Sequence, residues 1–181
     1  FDNLVPNYLF ADVAKKTKHI VVNNEQLEAY IKLIKKDLKT DKIVTLSSTT
    51  FEIKATKDIY DRATGKIIWK KGESVSQKIG STTYNSFTTN ADNMIIPEKS
   101  YTTNNDDKGT VITPLQLPVE SYAIYEINTP KGFLQLETPV TFDIKGIRDY
   151  DKDQDEDFIK EVTIKNEQST GTLMIDKTIA L

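Results

Sequence analysis

Turn signals punctuate this chain at short intervals. Thr64-Gly65, Lys71-Gly72, the run from Asn104 to Gly109 and Lys131-Gly132 each combine Gly or Asx residues with polar neighbours. Such residues tolerate backbone conformations that regular elements exclude, so each site predicts a chain reversal. The runs between them are short and rich in Thr, Ile, Val, Tyr and Phe. That composition suits pleated, half-buried strands. The clearest predicted strands cover 50–55, 66–70, 110–113, 121–127, 139–144 and 158–166. This spacing predicts an all-β domain, an antiparallel sandwich or barrel. The stretch 81–101 is polar and reads as a long excursion between strands.

One segment argues for a helix. Leu27, Tyr30, Ile31, Ile34 and Leu38 fall at helical spacing within a run rich in Glu, Lys and Leu. An internal repeat decides for a strand. Val22-Asn23-Asn24-Glu25-Gln26 matches Ile164-Lys165-Asn166-Glu167-Gln168, and without a gap Ile31-Lys32-Leu33-Ile34-Lys35 then lies against Leu173-Met174-Ile175-Asp176-Lys177. The second copy opens with Thr170-Gly171-Thr172, a poor helix start and a good strand start. The repeat divides the chain into 1–26, the tail of a preceding domain, 27–168, one complete domain, and 171–181, the first strand of a following one. Asn24 and Lys177 are then the neighbouring-repeat equivalents of Asn166 and Lys35. The chain opens with Phe1 rather than Met and reads as a piece of a longer polypeptide.

Composition removes several function classes. With 38 % hydrophobic and 28 % charged residues, the 181-residue chain can form a core and keep a solvated surface. Its net charge is −3 and its lysines are interspersed with acids, which argues against nucleic acid or an anionic membrane as partner. No apolar run approaches the ~20 residues of a membrane span. The absence of cysteine removes disulfides, thiolate catalysis and Cys-based zinc sites. The one histidine, His19, lies in a strand-like run with no supporting motif. Neither a phosphate loop nor a nucleophile motif is present, and Asp143 with Glu137 has no spacing that would mark glycosidase acids. No cofactor is expected.

Three polar residues stand out by parity, since alternate residues of a strand share a face. Lys35 continues the apolar face of Ile31 and Leu33, Asn166 that of Val162 and Ile164, and Glu126 that of Tyr122 and Ile124. Each is costly to bury alone, and together they could satisfy one another.

Here the chain resembles a family. Tyr122-Ala123-Ile124-Tyr125-Glu126-Ile127-Asn128-Thr129-Pro130-Lys131-Gly132-Phe133 is similar to the Y-x-(I/L)-x-E-x-x-x-P-x-G-(Y/F) segment of the CnaB or SpaA type of prealbumin-like domain, found in Gram-positive surface proteins and pilins. The run 33–42 resembles that family's first strand, 50–53 its second, and the strand ending at Asn166 its last. Asp41 stands where the family has a turn glycine, and Glu120-Ser121 where it has a glycine before the Tyr segment. The resemblance implies a transthyretin-like, Ig-like β-sandwich. It also implies an intramolecular isopeptide bond from Lys35 to Asn166, with Glu126 as the assisting acid. Burial disfavours the charged amine, and a neutral amine is a nucleophile. The alternative is an uncrosslinked ion pair of Lys35 and Glu126 with Asn166 nearby.

The function so implied is that of a stalk or shaft module, extracellular and cell-wall-associated, whose partners are adjacent domains of the same polypeptide. The rival is an adhesive module binding host matrix protein or glycan through the excursion 81–101 or the loop bearing Trp69. The acidic run holding Asp151, Asp153 and Asp155 has carboxylates at every second position, as Ca²⁺ ligands could be, but lacks the Gly and Glu of an EF-hand loop. It reads as a solvated hairpin tip.

Overall fold

A computed structural model describes residues 27–103, 107–145, 158–171, 173–175 and 177–179. Asn24, His19 and the acidic run with Asp151, Asp153 and Asp155 lie outside these residues.

The segment with the helical spacing is a strand, β1 (Glu28–Asp37), and every second residue of it is buried. The reason is tertiary. On one side β1 pairs in parallel with β13 (Ile159–Asn166) over eight residue pairs, from Tyr30↔Ile159 to Asp37↔Asn166. On the other it pairs antiparallel with β9 (Thr110–Ile112) and β10 (Leu117–Pro118). Both backbone edges are thus satisfied between neighbours, which outweighs a modest helix propensity.

A second sheet runs in the order β12 (Val140–Asp143), β11 (Ser121–Asn128), β2 (Thr50–Ala55), β7 (Ser86–Thr88) and β8 (Ser100–Tyr101). Two hairpins complete the described strands: β3 (Ile59–Tyr60) with β4 (Ile67–Trp69), and β5 (Gln77–Ile79) with β6 (Thr82–Tyr84). The two larger sheets face each other across one core. Ala29, Ile31, Leu33, Val162 and Ile164 enter it from the first sheet, and Phe51, Ile53, Phe87, Tyr122 and Ile124 from the second. The protein is an all-β sandwich, as the sequence predicts, and the six predicted strands are all present within a residue or two of their expected ends.

Two expectations are corrected. The stretch 81–101 is not a plain excursion, because β6, β7 and β8 lie in it. The polar residues that hid β7 are buried and bond one another: Thr88 Oγ1 lies 2.9 Å from Thr50 Oγ1 and also reaches Ser100 Oγ, while Thr49 N donates to Thr89 Oγ1 at 2.9 Å. Trp69 belongs to the core and is only 7 % exposed, so its ring offers no ligand surface.

The turn chemistry follows the sequence. Gly109 has φ +71°, and a Cβ there would lie 2.5 Å from Val44 O and closer still to Ile43, so only glycine fits. At Asp41, where the resembled family carries glycine, the chain keeps the left-handed conformation with φ 56°. Asp is among the few side chains that tolerate it. Its carboxylate also meets Lys36 at 3.2 Å and Lys165 at 2.8 Å.

Candidate cross-link site

Lys35 and Asn166 lie on adjacent parallel strands and on the same face. Lys35 stands opposite Ile164, and Asn166 stands opposite Asp37, two positions further along. Strand period then carries both side chains into the sandwich. Glu126 reaches the same end of the core from the other sheet, where β11 pairs with β2 at Glu126↔Phe51. The ladder slips immediately after it, before Asn128↔Thr50, and such a bulge bends the strand and re-aims side chains. All three residues are buried: Lys35 is 0 %, Asn166 1 % and Glu126 7 % exposed.

The carboxylate of Glu126 sits on the amide of Asn166. Asn166 Nδ2 donates to Glu126 Oε1 at 2.8 Å and Oε2 at 2.7 Å, and to Leu134 O at 2.8 Å. Glu126 Oε2 also accepts from Leu136 N at 2.9 Å and Thr129 Oγ1 at 3.2 Å. Gln135 Nε2 donates to the Glu126 carbonyl at 2.9 Å. The loop after β11 therefore holds the carboxylate from two positions and the backbone carbonyl from a third. Asn166 Oδ1 is buried without a hydrogen-bond partner among the described residues. An unmet buried acceptor is costly, so the bonds that Nδ2 makes to Glu126 and Leu134 are what hold the amide in this orientation.

Lys35 is held differently. Its Nζ donates one long hydrogen bond, to Lys36 O at 3.4 Å, and stands 5.3 Å from the centre of the Phe133 ring. No described carboxylate forms a direct ion pair with it. The alternative expected from the sequence, a Lys35–Glu126 ion pair beside Asn166, is thus not the arrangement found: Glu126 bonds Asn166 and leaves the amine apart. Burial lowers the pKa of Lys35 to about 8, with the more distant charges of Glu126 and Asp37 pulling the other way.

Several contributors escape sequence reasoning. Phe133 covers the amine, and the backbone of Leu134 and Leu136 holds the amide and the acid. Asp37, 5 % exposed, accepts from Lys39 N at 2.8 Å, Thr40 N at 3.3 Å and the side chain of Gln168. Its parity with Lys35 was the available signal, since it extends the same buried face. Lys177 is exposed, and the described residues of 171–179 form no strand. Asp143 is taken up by Ser121, which donates to its Oδ1. Glu137 is exposed.

No family model matches the sequence, and no curated protein matches it. Solved structures do. The full-length major pilin SpaD from Corynebacterium diphtheriae aligns over 81 % of this chain and 32 % of its own, at 16 % identity and a TM-score of 0.51. The minor pilin GBS52 of the Gram-positive pathogen Streptococcus agalactiae aligns over 84 % of this chain and 49 % of its own, at 13 % identity and a TM-score of 0.50. The chain spans less than half the length of either. These likenesses show the fold: the chain has the sandwich of Gram-positive pilin domains.

Proposed function

We propose that this chain, with its pilin-type sandwich, is a structural stalk or shaft module of a Gram-positive surface protein or pilus-like adhesin. An autocatalytic isopeptide bond between Lys35 and Asn166, assisted by Glu126, ties its first strand to its last. The observation that carries this reading is the buried triplet, where an acid holds the amide and the amine makes no ion pair with any described residue.

The chemistry needs only these three side chains. Neutral Lys35 Nζ attacks Asn166 Cγ. The Glu126 carboxyl already meets Nδ2, the nitrogen that must leave, so it is placed to hand that atom a proton. The Cγ–Nδ2 bond breaks as the Nζ–Cγ bond forms. Glu126 relays one Nζ proton to the departing nitrogen, which leaves as ammonia. Folding supplies the proximity, so no external enzyme takes part and the protein turns over nothing further.

The remaining assignments go with this reading. The module is extracellular and belongs to the cell wall, and its partners are adjacent domains of its own polypeptide. Intact mass tests it. Wild type should be lighter than its sequence mass by one ammonia, while Lys35→Ala, Asn166→Ala and Glu126→Ala should each carry the full mass of their own sequence. A wild type of full mass refutes the bond.

A second reading, a module that binds matrix protein or glycan, would use a surface groove of about 330 Å³ flanked by Tyr30 and Tyr101. Tyr101 packs edge-on against Tyr84 at 5.3 Å, from the stretch the sequence marks as polar. The hydroxyl of Thr113 beside it is already engaged by Ile31 N and Leu115 O, which leaves the groove few free polar groups. Glycan binding abolished by Tyr101→Ala would favour it.

A further inference from the structure

The cross-link asks for more than three side chains. Lys35 and Asn166 sit on different strands, two positions out of step, so their approach depends on how β1 and β13 are registered where both end. Hydrophobic side chains fix that register poorly there. Leu38, the residue after β1, is 55 % exposed, and after Asn166 the chain is exposed from Glu167 to Thr170. Polar contacts take over. Leu38 N donates to Asn166 O at 2.9 Å, and the side chain of Gln168 donates to Asp37 Oδ2. The segment bearing Gln168 is also tied to the loop that carries Phe133: Leu134 N donates to Glu167 O and Ser169 N to Gly132 O, both at 2.8 Å. One side-chain bond therefore joins the end of the lysine strand to the end of the asparagine strand, and through it to the loop that covers the amine. Asp37, Phe133 and Gln168 together line a surface cavity of about 340 Å³.

We propose that Asp37 and Gln168 act as positioning residues for the cross-link: their hydrogen bond locks the register of the two terminal strands and so sets the distance between Lys35 and Asn166. This rests on the isopeptide reading above. Neither residue touches the reacting atoms. Their effect falls on the rate of bond formation, because a small misplacement of a nucleophile is amplified in the barrier.

The test uses the whole chain made by cell-free synthesis, quenched in acid at intervals and weighed intact, so that the loss of ammonia is timed. Gln168→Ala removes the donor, and Gln168→Glu sets a second carboxylate against that of Asp37, which still caps Lys39 and Thr40. Each should slow ammonia loss by on the order of tenfold. The reversed pair, Asp37→Asn with Gln168→Glu, rebuilds the bond with donor and acceptor exchanged. It should return the rate to within about threefold of wild type, as coupled neighbours do in a double-mutant cycle. Melting curves of the same substitutions in the Lys35→Ala background, where no bond forms, report folding apart from chemistry. Should Gln168→Glu fail to fold there, Gln168→Ala, at the same exposed position, decides alone. Wild-type rates in both single variants, or no recovery in the reversed pair when both singles are slow and folded, would overturn the clamp. A wild type that never loses ammonia would instead sink the isopeptide reading and the clamp with it.

Discussion

Removing the proposed bond should change how the domain answers to force, and the topology says by how much. β1 begins the described chain and β13 closes the sandwich, and the two are parallel neighbours over eight residue pairs. Pulling from the two ends drags these strands past each other in shear, so the ladder is loaded as a set rather than peeled pair by pair. With Lys35 joined to Asn166, tension crosses the covalent bridge and the strands between them carry none. Extension is then limited to the few residues outside the bridge. In Glu126→Ala the ladder alone resists. Once it ruptures, roughly 140 residues at ~3.5 Å each, less the ~30 Å already spanned by the strands, release about 450 Å of contour length. The same bond acts on equilibrium stability. A loop of ~130 residues closed by a disulfide is stabilised by about 5 kcal/mol in the chain-entropy model, and the isopeptide is its topological equivalent. For a domain of this size that is roughly 10–20 °C in melting temperature. Single-molecule pulling and calorimetry of wild type against Glu126→Ala check both figures. A wild type that unfolds by the long step means that Lys35 and Asn166 are not joined, and the stalk reading loses its mechanism.

Four further outcomes are expected. The rate of ammonia loss should rise with pH up to about 8, the value to which burial lowers the Lys35 amine, and level off above it as the neutral nucleophile saturates; a pH profile flat below that point refutes a lysine nucleophile. In the uncrosslinked Asn166→Ala variant the sign runs the same way for stability. The folded amine titrates at about 8 and the unfolded one at 10.5, so the unfolded chain holds more protons between these values and stability rises with pH across that window. Denaturant titrations should show this rise relative to Lys35→Met/Asn166→Ala. Gly109→Ala should cost about 1–3 kcal/mol in backbone strain alone, and more from the contact with Val44 O, while Asp41→Gly should stay within about 0.5 kcal/mol of wild type by thermal melting. Tyr122→Phe should cost about 1–3 kcal/mol, because the buried phenol donates to Pro118 O at 2.8 Å and the carbonyl would lose its partner.

Strand periodicity is a local property, and what depends on it alone was legible. The alternation of Ile31, Leu33 and Lys35, of Tyr122, Ile124 and Glu126, and of Val162, Ile164 and Asn166 placed three polar side chains on core faces, and they are buried there. The turn glycines were legible for the same reason, since a left-handed residue needs no distant partner to be recognised. What periodicity cannot carry is the identity of partners. Glu126 lies 40 residues from Asn166 and Thr50 lies 38 from Thr88, and nothing within either segment names the residue it will meet. Only the pairing of β11 with β2, and of β1 with β13, decided that the acid would hold the amide rather than the amine. The same long-range closure made a strand of a segment with helical spacing, sank Trp69 into the core and buried Ser86 and Thr88 of β7. A hydrogen bond between side chains depends on where the sheets bring them, and that position is set by the packing of the whole sandwich.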